Sequence, residues 1–226
     1  MRSLSSSRLP PVMRHDLISI KPSRWGNIVE SHECLRSTPL VAGWASGGWP
    51  VVARRPTSLE TTGVPVGLPL PPSAGKRRLS FTISADDILS LALPLKLTSA
   101  AHVAPDEWLR TLAELDALAC EHVLTIRVFG SLAWTAITGM NYLTSSSDLD
   151  VLIHVDADTD IDRLVEGITT IEASSPMRLD GELIRDDGGS VNWREFRSGS
   201  PEVLLKSIRR VSLIEPQDFV NGVSPI

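Results

Sequence analysis

Residues 127–155, RVFGSLAWTAITGMNYLTSSSDLDVLIHV, constrain the fold most, because they read strand, Gly-Ser turn, helix, loop, strand in one unbroken stretch. The second strand, Leu149 to Val155, carries Leu149, Val151, Leu152 and Ile153, an apolar run that marks it as internal to a sheet. Asp148 and Asp150 stand at its leading end one residue apart. Side chains alternate across a strand, so their carboxylates are expected on one face. Two carboxylates there repel each other unless a cation lies between them. Hard oxygen ligands of this kind suit Mg²⁺ (or Mn²⁺), which keeps several waters and takes one or two protein carboxylates together with substrate phosphate. Gly130 lets a phosphate approach the backbone closely, and Ser131 adds a hydroxyl beside the amides that open the following helix. The parts match a metal-dependent attack at phosphorus. A D-x-D pair taken alone is a weak signal, often only a solvated strand end; the buried character of its strand gives it weight.

Helix and strand alternate on both sides of this stretch. Pro105, Asp106 and Glu107 open a helix with Trp108, Leu112, Leu115 and Cys120 near one face. His122 to Val128 reads as a strand, Ser131 to Ile137 as a short helix, and Asp160 to Ile171 as an amphipathic helix capped by Asp158 or Thr159. Met177 to Ile184 and Val191 to Phe196 predict a hairpin around Asp186-Asp187-Gly188-Gly189, and Ser200-Pro201-Glu202 predicts a last helix running to about Arg210. The expectation is an α/β domain with a mixed sheet over residues 84–226. From Leu17 to about Thr82, Gly and Pro punctuate short apolar stretches such as Val51-Val52-Ala53, Val64-Pro65-Val66 and Leu79 to Ile83, with no helical periodicity. Residues 13–83 therefore read as a small β-rich domain, with an exposed connection at residues 69–78, and residues 1–12 as a disordered tail. The fold class expected for the whole is α+β.

Charge separates the same two regions. Residues 1–80 hold eleven Lys and Arg against four Asp and Glu, a net of +7, so the remainder of a chain with net charge -5 carries -12. A basic module could meet phosphates or an acidic protein, and an acidic one could hold a metal; a solvated charged surface on each is the plain alternative. The overall negative charge argues against a nucleic-acid binder. Cys34 and Cys120 lie far apart without C-x-x-C spacing, which excludes a disulfide scaffold and a Cys-rich zinc site and fits reduced thiols in a cytoplasmic protein. No apolar leader opens the sequence, and the richest later run, ILSLALPLKL, is short and broken by Pro94 and Lys96, so no membrane association is expected.

The Gly-Ser turn followed by a D-x-D strand resembles the nucleotidyltransferase superfamily, whose pattern adds a third carboxylate on a later strand. More closely, Arg14-His15-Asp16-Leu17, FGSLAWTAITGMNYL, SDLDVLI, LDGELI, VNWREF and VLLKS resemble the malonate decarboxylase holo-acyl-carrier-protein synthase family, the phosphoribosyl-dephospho-CoA transferases. These residues are spread over both regions. The gap of 16 residues between Ser131 and Asp148 departs from the general superfamily and matches the closer family. The resemblance implies a nucleotidyltransferase-like C-terminal domain and transfer of a triphosphoribosyl-dephospho-CoA precursor to a serine of an acidic acyl-carrier protein, with loss of pyrophosphate. Competing readings are a citrate lyase-type carrier-protein transferase, another small-molecule nucleotidyltransferase, and a non-catalytic nucleotide or carrier-protein binding module.

Further candidates are less determined. Asp180 and Glu182 share a strand face, so either could supply the third carboxylate as metal ligand or general base, with Asp180 favoured; the alternative is an acidic hairpin facing water. Arg194 and Lys206 could neutralise phosphate, or Arg194 could pair with Glu195 or Asp180 as scaffold. His15, beside Arg14 and Asp16, could contact phosphate or the carrier protein, but a structural role is the better reading. Trp134 and Trp193 could stack on adenine, although core packing fits their apolar neighbours better. Lys76-Arg77-Arg78 is a patch for phosphate or an acidic partner if it faces a cleft, and otherwise a solubilising loop.

Overall fold

In the computed structural model, which describes residues 11–223, the chain divides between Pro94 and Leu95 into two units. Most of the tail expected at 1–12 lies outside the described residues. The first unit holds β1 (Leu17–Ile20), α1 (Pro22–Ser31), α2 (Glu33–Arg36), β2 (Val51–Ala53), β3 (Val64–Pro69), β4 (Arg78–Ile83) and β5 (Ile88–Ala92). Its strands form one antiparallel sheet in the order β4-β3-β2-β1-β5. The boundary falls beyond the expected residue 83 because β5 pairs with β1, Ile18 opposite Leu91, and buries Ile88 and Leu91. Asp86 and Asp87 thereby join the basic unit, whose net falls to +5 and leaves -10 for the rest.

Helices α1 and α2 are a second departure from the sequence reading. Pro22 sits in the first turn of α1, where its missing N–H costs nothing, and Trp25 and Ile28, three apart, bury one face. The Trp25 indole N–H donates to Val41 O at 2.7 Å. Two anchors in one short helix are too few to show as periodicity.

The second unit comprises β6 (Leu95–Lys96), α3 (Leu97–Ala100), α4 (Leu109–Glu121), β7 (Thr125–Val128), α5 (Gly130–Thr138), β8 (Leu149–His154), α6 (Ile161–Ser174), β9 (Leu179–Ile184), β10 (Ser190–Asn192), α7 (Trp193–Arg197), β11 (Val203–Lys206), β12 (Val211–Ile214) and α8 (Pro216–Val220). The strands lie in the order β12-β11-β10-β9-β8-β7-β6, with β8 and β9 parallel across the α6 crossover and their other neighbours antiparallel. The mixed α+β architecture is the one the sequence predicts. Leu149, Val151 and Ile153 of β8 and Leu179 and Leu183 of β9 face a core shared with Leu112 and Leu115 of α4 and Leu164 and Ile168 of α6. A Cβ on Gly167 would lie 2.6 Å from Leu118 Cδ1, so this glycine lets α6 pack closely on α4. Gly181 makes similar room inside β9, where a Cβ would come within 2.9 Å of Val151 and 3.0 Å of Trp193. Trp193 is fully buried and Trp134 nearly so, which confirms both as core.

Four local expectations are corrected. Residues 200–210 form no helix: Val203 and Leu205 alternate inward along β11, which pairs with β12 as a hairpin. The hairpin after Ile184 has only three residues in its second strand, because Asn192 caps α7. Helix α6 is capped by Asp160, whose side chain accepts the Arg163 N–H, and not by Asp158 or Thr159. Cys120 is exposed rather than on the apolar face of α4. Among the described residues no helix is long and apolar enough to cross a membrane.

Val123, after α4, combines φ +56° with 91% exposure. A β-branched residue in left-handed backbone costs roughly 1–2 kcal/mol, and so exposed a side chain returns little. Val123→Gly is expected to raise stability by about 1 kcal/mol, after allowance for the greater freedom of glycine in the unfolded chain. The check is a higher urea midpoint at an unchanged slope; a lower midpoint would show that the valine makes a contact worth more than its strain.

Candidate active site

The end of β7 delivers the Gly-Ser turn to the start of β8, since the two strands pair with Val128 opposite Val151 and Phe129 N donates to Asp150 O at 3.1 Å. Gly130 takes φ +65°, and a Cβ there would sit 1.7 Å from Asp150 Oδ2 and 2.6 Å from its Cγ. Only glycine fits, on both counts. The Asp150 carboxylate thus rests against the first residue of α5, where the positive end of the helix dipole favours negative charge. Helix α5 is anchored beneath by Leu132, Ala133 and Trp134, all buried, and ends at Gly139 in left-handed conformation.

Asp148 is set by a tight turn just before β8: Ser147 N donates to Thr144 O, and Thr144 N to Ser147 Oγ, both at 3.0 Å. Its carboxylate is 39% exposed and lies 3.8 Å from Arg178 Nη1, a guanidinium that is itself 59% exposed. Asp150 of β8 stands in register with Asp180 of β9. In a parallel pair such residues share a face, here the one opposite Leu149, Val151 and Leu179 and hence opposite the helical core.

The two candidates for a third carboxylate part company. Asp180 is half-buried, stays at the Asp150 end of the sheet, and accepts a hydrogen bond from Asn192 Nδ2 at 3.0 Å. Glu182 is buried, bound by Ser190 Oγ at 2.7 Å and by Lys206 Nζ at 3.2 Å. Neither belongs to a hairpin facing water, because LDGELI is a strand between β8 and β10. Lys206 is therefore the counter-ion of Glu182. Arg194 is scaffold as well: its main partner is Glu172 of α6 rather than Glu195, and the charges of Asp180 and Asp148 also act on it. It grips Glu172 with two nitrogens, donates to Leu179 O at 2.7 Å and lies over the Trp193 ring. The hydrogen bond from Arg194 holds the Glu172 carboxyl below the usual carboxylate range. Arg178 is an exposed cation at this end, and the sequence reading missed it: a lone arginine before a strand carries no signal, and only the strand register sets it beside Asp148.

Among the described residues no three His, Cys, Asp or Glu side chains close into a ready-made metal nest. The arrangement is an open one, in which Asp148 and Asp150 are the carboxylates that could act as donors. It fits an ion that takes one or two carboxylates and completes its shell with water and phosphate, as Mg²⁺ and Mn²⁺ do. Of the remaining candidates, Arg14 and His15 form a turn leading into β1, with His15 at φ +70°, its Nε2 3.1 Å from Arg14 Nη2, and its N–H donated to Ala53 O. Asp16 is buried and accepts the Met13 N–H at 2.8 Å. Lys76, Arg77 and Arg78 are all exposed where β3 turns into β4.

Family models match both units. That for the N-terminal domain of the phosphoribosyl-dephospho-CoA transferase MdcG matches residues 13–94, and that for its C-terminal domain matches residues 93–217. The chain belongs to the MdcG family. A phosphoribosyl-dephospho-CoA transferase of Bradyrhizobium diazoefficiens is 46% identical over 214 residues, which cover 95% of each chain. One from Xanthomonas campestris pv. campestris is 37% identical over 169 residues, 74% of this chain and 79% of the relative, and one from Xanthomonas euvesicatoria pv. vesicatoria is 34% identical over 196 residues, 86% and 90% of the two chains. No solved structure matches. The junction of the two MdcG models at 93–94 coincides with the structural division at Pro94, and every stretch that carries the resemblance falls inside one or the other.

Proposed function

We propose that this MdcG-family chain transfers the 2'-(5-triphosphoribosyl)-3'-dephospho-CoA precursor to a serine of the acyl-carrier protein of malonate decarboxylase. The serine oxygen forms a phosphodiester at the α-phosphorus, the bond from that phosphorus to the bridging oxygen breaks, and pyrophosphate leaves. The observation that carries this reading is the contact of Gly130 with Asp150 at the head of α5, with Asp148 and Asp180 beside it. Asp148 and Asp150 would hold Mg²⁺ or Mn²⁺, which when bound supplies charge neutralisation at the triphosphate. The amides opening α5 and the Ser131 hydroxyl seat phosphate oxygens. Arg178 stands ready to accompany the charge that develops on the leaving pyrophosphate. Asp180 is the base for the serine proton, and Asn192 leaves one of its oxygens open for that task. Most of the rate comes from alignment and charge neutralisation, as is general for phosphoryl transfer.

The decisive measurement is the mass of apo carrier protein after incubation with enzyme, precursor and Mg²⁺, alongside released pyrophosphate. A gain equal to the phosphoribosyl-dephospho-CoA group supports the reading. No gain and no pyrophosphate would sink it, and preferential labelling of a citrate lyase-type carrier would reassign the acceptor.

Acyl-carrier proteins are acidic, so the basic first unit offers a docking face. Arg54 is already neutralised by Glu60, whose carboxyl that guanidinium holds down at about 2, which leaves the exposed Lys76, Arg77 and Arg78 as the better candidates. Reversing all three to Glu is expected to raise KM for carrier protein about tenfold at low salt while KM for precursor stays put, with the difference shrinking as salt is added. A rise in KM for precursor instead would make the patch a phosphate cradle. No change in either would make it a solubilising loop.

A further inference from the structure

Asn192 closes β10 and opens α7, and both ends of its carboxamide are engaged. Oδ1 accepts the Arg194 N–H at 3.0 Å as the cap of α7, and Nδ2 donates to Asp180 Oδ1 at 3.0 Å. Rotating the amide by half a turn would forfeit both bonds, so the pair fixes its orientation. Asn192 is opposite Glu182 in the β9–β10 ladder and so shares the face of Asp180, which in turn is in register with Asp150. The support behind it is rigid. Arg194, two residues on, is tied to Glu172 of α6 and to the carbonyl of Leu179, the first residue of β9.

Capping alone does not call for this residue, since Ser, Thr and Asp cap as well or nearly so. Among these, Asn alone combines an acceptor for the cap with a separate N–H donor long enough to reach a neighbouring carboxylate. We infer that Asn192 is a positioning residue for the transfer reaction: it holds Oδ1 of Asp180 so that Oδ2 is presented to the incoming hydroxyl. This inference rests on the base role given to Asp180 above.

The test uses the full chain. Asn192→Ser and Asn192→Asp both keep the cap; the first withdraws the donor and the second puts a carboxylate in its place. Both are expected to melt close to wild type and to lose roughly 10- to 100-fold in kcat, with KM for precursor little changed. In an Asp180→Asn background, Asn192→Ser should cost nothing further, because its effect runs through Asp180. Near-normal kcat in the folded single variants, or full additivity in the double variant, overturns the inference. Full activity in Asp180→Asn itself would instead remove the base role of Asp180, a separate failure.

Discussion

Replacing Asp150 by Asn is expected to lower transfer by at least about a thousandfold while the protein keeps its fold. The amide has the shape of the carboxylate but supplies neither its charge nor a second anionic oxygen to a divalent ion. Asp148→Asn should act in the same direction, because in the proposed site both carboxylates serve one ion and removing either leaves a single exposed or half-buried carboxylate. Thermal stability should change little, since relief of repulsion between neighbouring carboxylates in the metal-free protein is offset by loss of the favourable charge of Asp150 at the head of α5. The check is single-turnover labelling of carrier protein beside a melting curve. A doubly substituted protein that labels at the normal rate would dispose of the metal-site reading altogether.

Gly130→Ala should also be damaging, though less so and for a different reason. The added methyl would sit 1.7 Å from Asp150 Oδ2, far inside van der Waals contact, on a backbone at φ +65° that alanine adopts only at a cost of roughly 1 kcal/mol. Something must move, and the carboxylate is the softest neighbour. Displacement of Asp150 by an ångström or more is enough for a loss on the order of a hundredfold in kcat. A modest fall in the melting temperature should accompany it. Wild-type kcat in the alanine variant would mean that the carboxylate at 150 can leave this position without consequence, and the turn would lose its place in the mechanism.

What the sequence makes legible follows from the range of the interactions involved. Residues 127–155 announce strand, turn, helix and strand because period and turn chemistry are local, and Asp148 and Asp150 share a strand end by counting alone. Arg194 and Lys206 look like phosphate ligands in the sequence because their carboxylates, Glu172 and Glu182, lie 22 and 24 residues away and are brought in by α6 and by the β9–β11 arrangement. Asn192 gives no signal for the same reason: its bond to Asp180 spans a hairpin whose second strand ends earlier than the pattern suggested. Ser200-Pro201-Glu202 is a sound helix start taken locally, but pairing of Val203 to Lys206 with Val211 to Ile214 overrides it. ILSLA, which the expected boundary at residue 84 gives to the second unit, is claimed by β1.

The parallel pairing of β8 with β9 has a bearing on biogenesis. Antiparallel neighbours can zip from a tight turn, whereas a parallel pair must wait for its crossover, here α6, to be made and laid down. Asp150 meets Asp180 only after that crossover closes, and Asn192 arrives later still along the chain. A ribosome-bound or proteolysed chain that stops short of β9 already contains the Gly-Ser turn and the D-x-D pair, yet has neither Asp180 nor its support. On the proposed mechanism such a fragment is expected to be inert rather than weakly active, since it lacks the carboxylate assigned as base.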